Sequence, residues 1–551
     1  MKTFFKKERE RALQYLDQEH NLQFQGSTYI FKDILFRVRI SVNFFRDKSF
    51  RFHGGVHPYQ GKRLSNTGTI HKGPLPDYLI LSLAQGGGAA PIPVVKEGER
   101  VFKNQLLAKP STWMSAAIHA PTSGIVEKIG MYPRAHVAGM DSPSIILKTD
   151  GKDEKNFALT VENHSKFANA HDFAVFLQEN GIIGMGGAGF PTNGKVSEDL
   201  DEIVINAAEC EPMISSDDLL MRERADEVIA GIAILAEYLK PKRTIIGIED
   251  NKPEATAILQ AAITKGGYDN IFIKSLPTLY PSGDAKHLAY LLTGKEIAAS
   301  KRTTSKKVQV FNVGTAHSIY RALVLGEPLT SRIVTLTGNV ERPGNYEVLI
   351  GTPIEDLMKF VGIKKTATGI IHGGPMMGFT VKNPAAPILK ITNCLIATDN
   401  ILFPQRPPEM PCIRCTECAR HCPSELQPYA LYWAARAKNL DAVKALNISE
   451  CIECGCCSFM CPANIPHVHY FRYAKNAIRT KAAEQKAAEE ARERFEFKEA
   501  RLAREKEEKA EKLKKLAEAK KAAAEKTADS QKNNALTVEK SDSAPAPKEE
   551  Q

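Results

Sequence analysis

The sequence predicts an α/β multidomain protein that ends in a cysteine-rich helical domain followed by a long charged helix. Three observations predict it. Two copies of one cysteine run, Cys412-x-x-Cys415-x-x-Cys418-x-x-x-Cys422-Pro423 and Cys451-x-x-Cys454-x-x-Cys457-x-x-x-Cys461-Pro462, lie toward the C-terminal end. Helical and strand patterns alternate across residues 165–325, as in a largely parallel sheet. From about 471 to 526, Ala, Glu, Lys and Arg dominate without Pro or Gly, a composition that favours an exposed helix laced with i,i+4 charge pairs.

With 551 residues the chain has room for about three or four domains. Residues 1–48 read as an N-terminal extension without a motif. Their charged start, MKTFFKKERERALQYLDQ, has no apolar core behind it, so it is no secretory signal. Phe52-His53-Gly54-Gly55-Val56-His57-Pro58 opens a region, 49–150, of short strands and turns: DYLILSL, PIPVVKEGERVFKNQLLAK and AAIHAPTSGIVEKIG. The alternation fills 151–328. It runs from the helix HDFAVFLQEN through the strand EIVINAA to an amphipathic helix from about Asp217 to Lys240. The strands RTIIGIED and NIFIKSLP, the helix GDAKHLAYLLTG and the strand KKVQVFNVG complete it. Residues 329–366 place two strands about the turn Arg342-Pro343-Gly344-Asn345 before a short helix. Residues 367–404 read as a connecting segment and 405–470 as the cysteine domain. The helix of 471–526, roughly 80 Å long at 1.5 Å per residue, reads as a solvated spacer because it lacks a broad apolar face. Residues 527–551 read as a disordered tail.

No stretch reaches the roughly 18 apolar residues of a membrane span. The net charge of +10 fits a membrane surface or an acidic protein partner. Basic residues are interleaved with acidic ones and no nucleic-acid module is recognisable, so nucleic acid is not an expected partner.

The run C-x₂-C-x₂-C-x₃-C-P is the bacterial ferredoxin ligand spacing, in which the fourth cysteine ligates the other cluster of a pair. It assigns one 4Fe–4S cluster to Cys412, Cys415, Cys418 and Cys461, and a second to Cys422, Cys451, Cys454 and Cys457. Structural zinc, which takes paired C-x₂-C knuckles, does not account for a three-plus-one run repeated with its proline. No C-x-x-C-H occurs, which excludes c-type haem. Cys210, Cys394 and Cys456 fall off the spacing and read as unligated thiols. With eight of eleven cysteines claimed by clusters, a disulfide framework is not expected and the compartment should be reducing.

The order V-x-E-G-E-x-V, N-Q-L-L-A, H-A-P-T-S-G-I-V in 49–150 resembles lipoyl and biotinyl carrier domains, which are barrel-sandwich hybrids. The hairpin that carries their lysine is here Ser111-Thr112-Trp113-Met114-Ser115, so the barrel is expected to serve as scaffold. Residues 329–366 resemble the soluble-ligand-binding β-grasp module. The loop Gly181-Ile-Ile-Gly184-Met185-Gly186-Gly187-Ala188-Gly189-Phe190-Pro191-Thr192 follows a helix and precedes a strand, the reverse of a dinucleotide fingerprint. With its continuation it resembles the flavin loop G-R-G-G-A-G-F-P-T-G-x-K of the NADH-oxidising subunit of respiratory complex I. Asn206-Ala207-Ala208-Glu209-Cys210-Glu211-Pro212 and Tyr280-Pro281-Ser282-Gly283-Asp284 follow in that family's order. Together with Gly54-Gly55-Val56-His57-Pro58, the barrel and two cysteine runs, these motifs resemble the C subunits of Rnf (Rsx) ion-translocating electron transport complexes over roughly residues 49–475.

The resemblance implies a Rossmann-like α/β flavin and nucleotide domain and a ferredoxin-like domain. It implies FMN as cofactor and NADH as substrate. Gly184, Gly186, Gly187, Ala188, Gly189 and Phe190 would line the flavin and nucleotide pocket. Lys195 would meet a phosphate and Asn206 the flavin. Glu209 and Glu211 would face flavin and nucleotide, and Tyr280 would stack near the nucleotide. Three departures stand out: Met185 replaces the loop arginine, Ala208 an aspartate, and Met213-Ile214 the residues after the proline. The loss at Met185 removes a charge-assisted phosphate contact.

The same resemblance implies a translocase-type oxidoreductase subunit, peripheral on the cytoplasmic side of the cell inner membrane and bound to integral-membrane subunits. Electrons would pass between NADH, via FMN, and the two clusters. An iron–sulfur adaptor without its own NADH site, favoured by Met185 and Ala208, and the NADH-oxidising subunit of a soluble hydrogenase are the rival readings.

Overall fold

The computed structural model describes residues 50–155, 167–298 and 300–538; the extension 1–48 lies outside them. The barrel is built from two antiparallel sheets. Tyr78–Ser82, Asp141–Thr149, Gly124–Pro133 and Arg100–Val101 form one, and Ile92–Pro93, Leu106–Lys109 and Ile118–His119 the other. Alternation drives Leu79, Leu81, Ile145 and Leu147 inward to zero exposure. That core continues through Phe173 and Ile205 into the next domain, so the barrel is packed onto it. The hairpin 111–115 is fastened there too. Gln178 Nε2 donates to the carbonyls of Thr112 and Ser115, both at 2.8 Å, and Asn193 Nδ2 to that of Trp113 at 2.7 Å. A tethered hairpin without lysine is not a swinging arm.

The α/β domain carries a four-stranded parallel sheet in the order Ile271–Leu276, Arg243–Glu249, Glu202–Ala207, Val308–Asn312. The chain fills one side of Glu202–Ala207 first and crosses to the other with Val308–Asn312. The topological switch point, where open α/β sheets bind ligands beyond their carboxyl ends, therefore lies between those two strands. The single helix expected from Asp217 to Lys240 is two, Ser216–Glu223 and Ala225–Leu239. Arg224 breaks it, with φ −126° and ψ 37°, and its guanidinium pairs with Glu347 at 2.6 Å.

The expected connecting segment 367–404 is folded. Its strands Gly369–His372, Phe379–Thr380 and Cys394–Thr398 join Ser331–Gly338 and Gly344–Leu349 in a six-stranded sheet, with Ile70–Lys72 at the edge. Val334, Leu336, Leu395 and Ala397 bury one face under the helix Ile354–Val361. The cysteine domain has short helices, Glu417–Arg420, Pro428–Arg436, Leu440–Ala445 and Cys456–Phe459.

A single helix spans His467–Val538, longer at both ends than 471–526. No Gly or Pro interrupts 527–538, so helix replaces the first part of the expected tail; 539–551 lie outside the described residues. Chain contacts divide at Arg472. From 479 to 530 the helix side chains are exposed and joined by i,i+4 pairs such as Arg492–Glu496 at 2.7 Å and Lys515–Glu511 at 2.8 Å. No helix among the described residues is long and apolar enough to cross a membrane.

Candidate redox site

The two cysteine runs fold alike. Arg414 and Glu453, each two residues after the first cysteine of its run, have φ 55° and 59°. Thr416 and Gly455 follow at 63° and 83°, and Glu425 and Asn464, three residues after the fourth cysteines, at 53° and 54°. Only Gly455 and Asn464 carry the residue types that favour this region; the others are held there by the winding of the chain. Cys412, Cys415, Cys418 and Cys461 line one cavity. Cys422, Cys451, Cys454 and Cys457 line a second, with Cys456 beside them. The fourth cysteine of each run thus joins the first three of the other. Among the described residues no three His, Cys, Asp or Glu side chains close around a single metal ion.

The second cavity is fastened to the α/β domain. The Tyr280 hydroxyl donates to the Cys454 carbonyl at 2.7 Å. Gly55 N–H donates to the His421 carbonyl at 3.2 Å, and His53 Nδ1 lies 3.0 Å from the Cys422 carbonyl. A side chain on Gly54 would fall 2.7 Å from the His421 backbone, which explains a glycine there. Asp284 caps the helix Ala285–Thr293 and holds His287 Nδ1 at 2.7 Å, leaving Nε2 2.9 Å from the Pro423 carbonyl. Spacing reads the cysteines themselves; it gave no sign of His53, Gly55 or His287 as their supports.

The glycine loop lies over the carboxyl ends at the switch point. Gly184 N–H donates to the Phe190 carbonyl at 2.8 Å, Met185 N–H to Thr315 Oγ1 at 2.9 Å, and a Cβ on Gly186 would sit 3.5 Å from Asn312. Gly186, Gly187 and Ala188 are exposed and Gly184 and Phe190 half-buried. Gly189 is a packing residue: its φ is 63° and a Cβ would meet Ile391 at 2.4 Å and the barrel's Gly86 at 2.9 Å. Lys195 Nζ sits under Gly184 and donates to the Val310 carbonyl at 3.0 Å. Burial brings its pKa down to about 8.

Asn206, next to last in its strand, lies level with Asn312. Its Nδ2 donates to the Gly283 carbonyl at 2.8 Å. Asn312, absent from the sequence-based candidates, caps the helix Val313–Val324 through Gly314 N–H (2.9 Å) and donates to Asp217 at 2.6 Å. An Asn at a strand end before a helical run is an N-cap signal that would have found it.

Three candidates are engaged by the protein's own groups. Glu209 accepts from the N–H groups of Asp217 (2.6 Å) and Asp218 (3.3 Å) at the start of Ser216–Glu223, so it serves as helix cap. Burial pushes its carboxyl up to about 7. Glu211 accepts from the N–H groups of Met376 and Met377 at 2.7 and 3.1 Å, and burial raises its pKa. Tyr280 is 1% exposed, packed under the cysteine loops. Lys62, also missed, donates from a buried Nζ to the carbonyls of Glu211 (3.1 Å) and Ile214 (2.6 Å) and lies 3.8 Å from the Glu209 carboxylate. Where the loop arginine is replaced, buried Met185 packs on Gly314, and Arg332 reaches the Met185 carbonyl from behind at 3.5 Å.

Three family models match in the order of these domains: the RnfC barrel sandwich hybrid domain over 50–152, the Nuo51 FMN-binding domain over 177–321 and the SLBB domain over 333–380. The C subunit of the ion-translocating oxidoreductase complex of Yersinia pestis bv. Antiqua (strain Antiqua) is 42% identical over 464 residues, 83% of this chain and 74% of that protein. The chain belongs to the family of C subunits of ion-translocating oxidoreductase complexes. The corresponding protein of Klebsiella pneumoniae (strain 342) is 40% identical over 471 residues, and there the alignment spans 83% of this chain but 61% of the relative's length. Among solved structures, NAD⁺-reducing [NiFe]-hydrogenase in the air-oxidized state matches with 18% identity and a TM-score of 0.41, over 53% of this chain and 61% of that one.

Proposed function

We propose that this chain is the peripheral electron-transfer subunit of a membrane complex that couples electron transfer between NADH and ferredoxin to ion translocation. Within it the chain would act as a translocase-type oxidoreductase subunit on the cytoplasmic face of the cell inner membrane, beside integral-membrane and other partner subunits that carry the ion path. The observation that carries the reading is the crosswise sorting of eight cysteines around two cavities, one of them fastened to the α/β domain. Such thiol sets suit two 4Fe–4S clusters. FMN fits the loop, whose exposed Gly186, Gly187 and Ala188 let backbone approach a planar ring.

FMN and the clusters, when bound, supply the conversion between a two-electron hydride and single electrons. The chain's own residues position them. Asn206 and Asn312 present amides at the switch point, and Lys195 places an ammonium beneath the loop. Glu211, through the Met376–Met377 backbone, and Tyr280, through the Cys454 carbonyl, fix the second cysteine cavity against the sheet. Rigid placement keeps the electron-transfer distance constant.

Stoichiometry tests the reading. The anaerobically purified chain should carry eight irons and one FMN, and Ala188→Leu, which fills the open side of the loop, should lose FMN and keep iron. A chain that holds its clusters but never retains FMN would be an iron–sulfur adaptor.

A further inference from the structure

His467 lines the first cavity together with Cys412, Cys415, Cys418 and Cys461. It is 1% exposed, and its Nδ1 is buried without a hydrogen-bond partner. Buried polar nitrogens are almost always paired. The surroundings offer little. The Ile465 carbonyl lies near the ring but already takes the residue's own N–H at 3.0 Å. The Tyr432 ring stands edge-on at 5.8 Å, its hydroxyl committed to Glu409 at 2.6 Å. What remains at hand is the cavity and the sulfur that belongs in it.

The internal repeat supplies a control. His467 is six residues after Cys461; six residues after Cys422 stands Pro428, which lines the second cavity. Matching places in the two halves therefore hold an imidazole on one side and a ring without any N–H on the other. We propose that His467 donates its Nδ1–H to a sulfur of the cluster held by Cys412, Cys415, Cys418 and Cys461, and so raises that cluster's reduction potential above the value its thiolates alone would set. Hydrogen bonds to cluster sulfurs are one of the protein's levers on potential, because they stabilise the charge gained on reduction. His467 is a positioning residue in this role and transfers nothing itself. The inference rests on reading the eight cysteines as cluster ligands.

The test is an EPR-monitored redox titration of the full, cluster-loaded chain, with the two signals assigned in a Cys412→Ser background. His467→Leu should disfavour reduction of the first cluster about tenfold, or 59 mV for a one-electron couple, and leave the second unchanged. His467→Asn, which keeps an N–H near the Nδ1 position, should stay close to wild type. Pulsed EPR on ¹⁵N-histidine-labelled protein should show a nitrogen coupling to the first cluster that His467→Leu abolishes. The inference is overturned by unchanged potentials in His467→Leu, by equal shifts of both clusters, or by His467→Asn behaving as His467→Leu. If His467→Leu fails to hold the first cluster, the nitrogen coupling decides: present in the wild type and lost in His467→Asn it carries the inference, and absent from the wild type it overturns it. A wild-type chain that assembles no 4Fe–4S cluster would instead overturn the ligand reading beneath it.

Discussion

The Tyr280 hydroxyl and the Cys454 carbonyl, 174 positions apart in sequence, meet at 2.7 Å with both residues buried. That bond joins the loop after one strand of the parallel sheet to the backbone of the second cysteine run. Tyr280→Phe removes the donor and leaves the carbonyl buried and unpaired, which costs roughly 1–3 kcal/mol. Denaturant unfolding of the cluster-loaded protein should show that loss, with iron content unchanged.

Glycines within one loop separate by role. Gly189→Ala must accept φ 63° and a 2.4 Å contact with Ile391; the left-handed conformation alone costs about 1–2 kcal/mol, and the melting temperature should fall. Gly186→Ala makes only an ordinary 3.5 Å contact. It should leave stability nearly unchanged while weakening FMN retention, measured by cofactor release on filtration.

Glu209 makes stability depend on pH. Burial raises its folded pKa to about 7, above an unfolded value near 4.3, so the folded state binds the proton more tightly. Below about pH 4 both states are protonated and the group costs nothing. Stability is lost as pH rises from there through about 7, and the penalty is constant above. Glu209→Gln keeps an oxygen for the Asp217 N–H but does not titrate. The wild type minus Glu209→Gln difference in unfolding free energy should fall across that window and be flat above it.

Lys390 locks the barrel to the α/β domain. Its buried Nζ donates to the carbonyls of Ala117 and Gly181, both at 2.7 Å. Lys390→Met orphans two carbonyls at once and should cost about 2–5 kcal/mol. Hydrogen exchange should place the loosening at residues 117 and 181.

The grouping of the cysteines around two cavities was legible in the sequence because the two runs repeat one local spacing, and the parallel sheet because helix and strand periods alternate cleanly. The rest depends on distant partners. Motif order assigns Glu211 to flavin and nucleotide and Tyr280 to the nucleotide; Met376, whose N–H Glu211 accepts, lies 165 positions beyond it and no local pattern announces it. The segment 367–404 looked like a connector because its strands are only two to five residues long; the last of them, Cys394–Thr398, pairs with Ser331–Gly338 from far upstream. Arg224 interrupts an otherwise helical run for a bond to Glu347, which sequence cannot display.

Visible absorption of the anaerobic, FMN- and cluster-loaded chain, followed as NADH is added, tests whether electrons enter at the glycine loop and leave through the cysteine domain. Such a path requires bleaching of the iron–sulfur bands that disappears in Ala188→Leu, while dithionite still reduces both clusters. Clusters that respond to dithionite but never to NADH in the FMN-loaded wild type would contradict it.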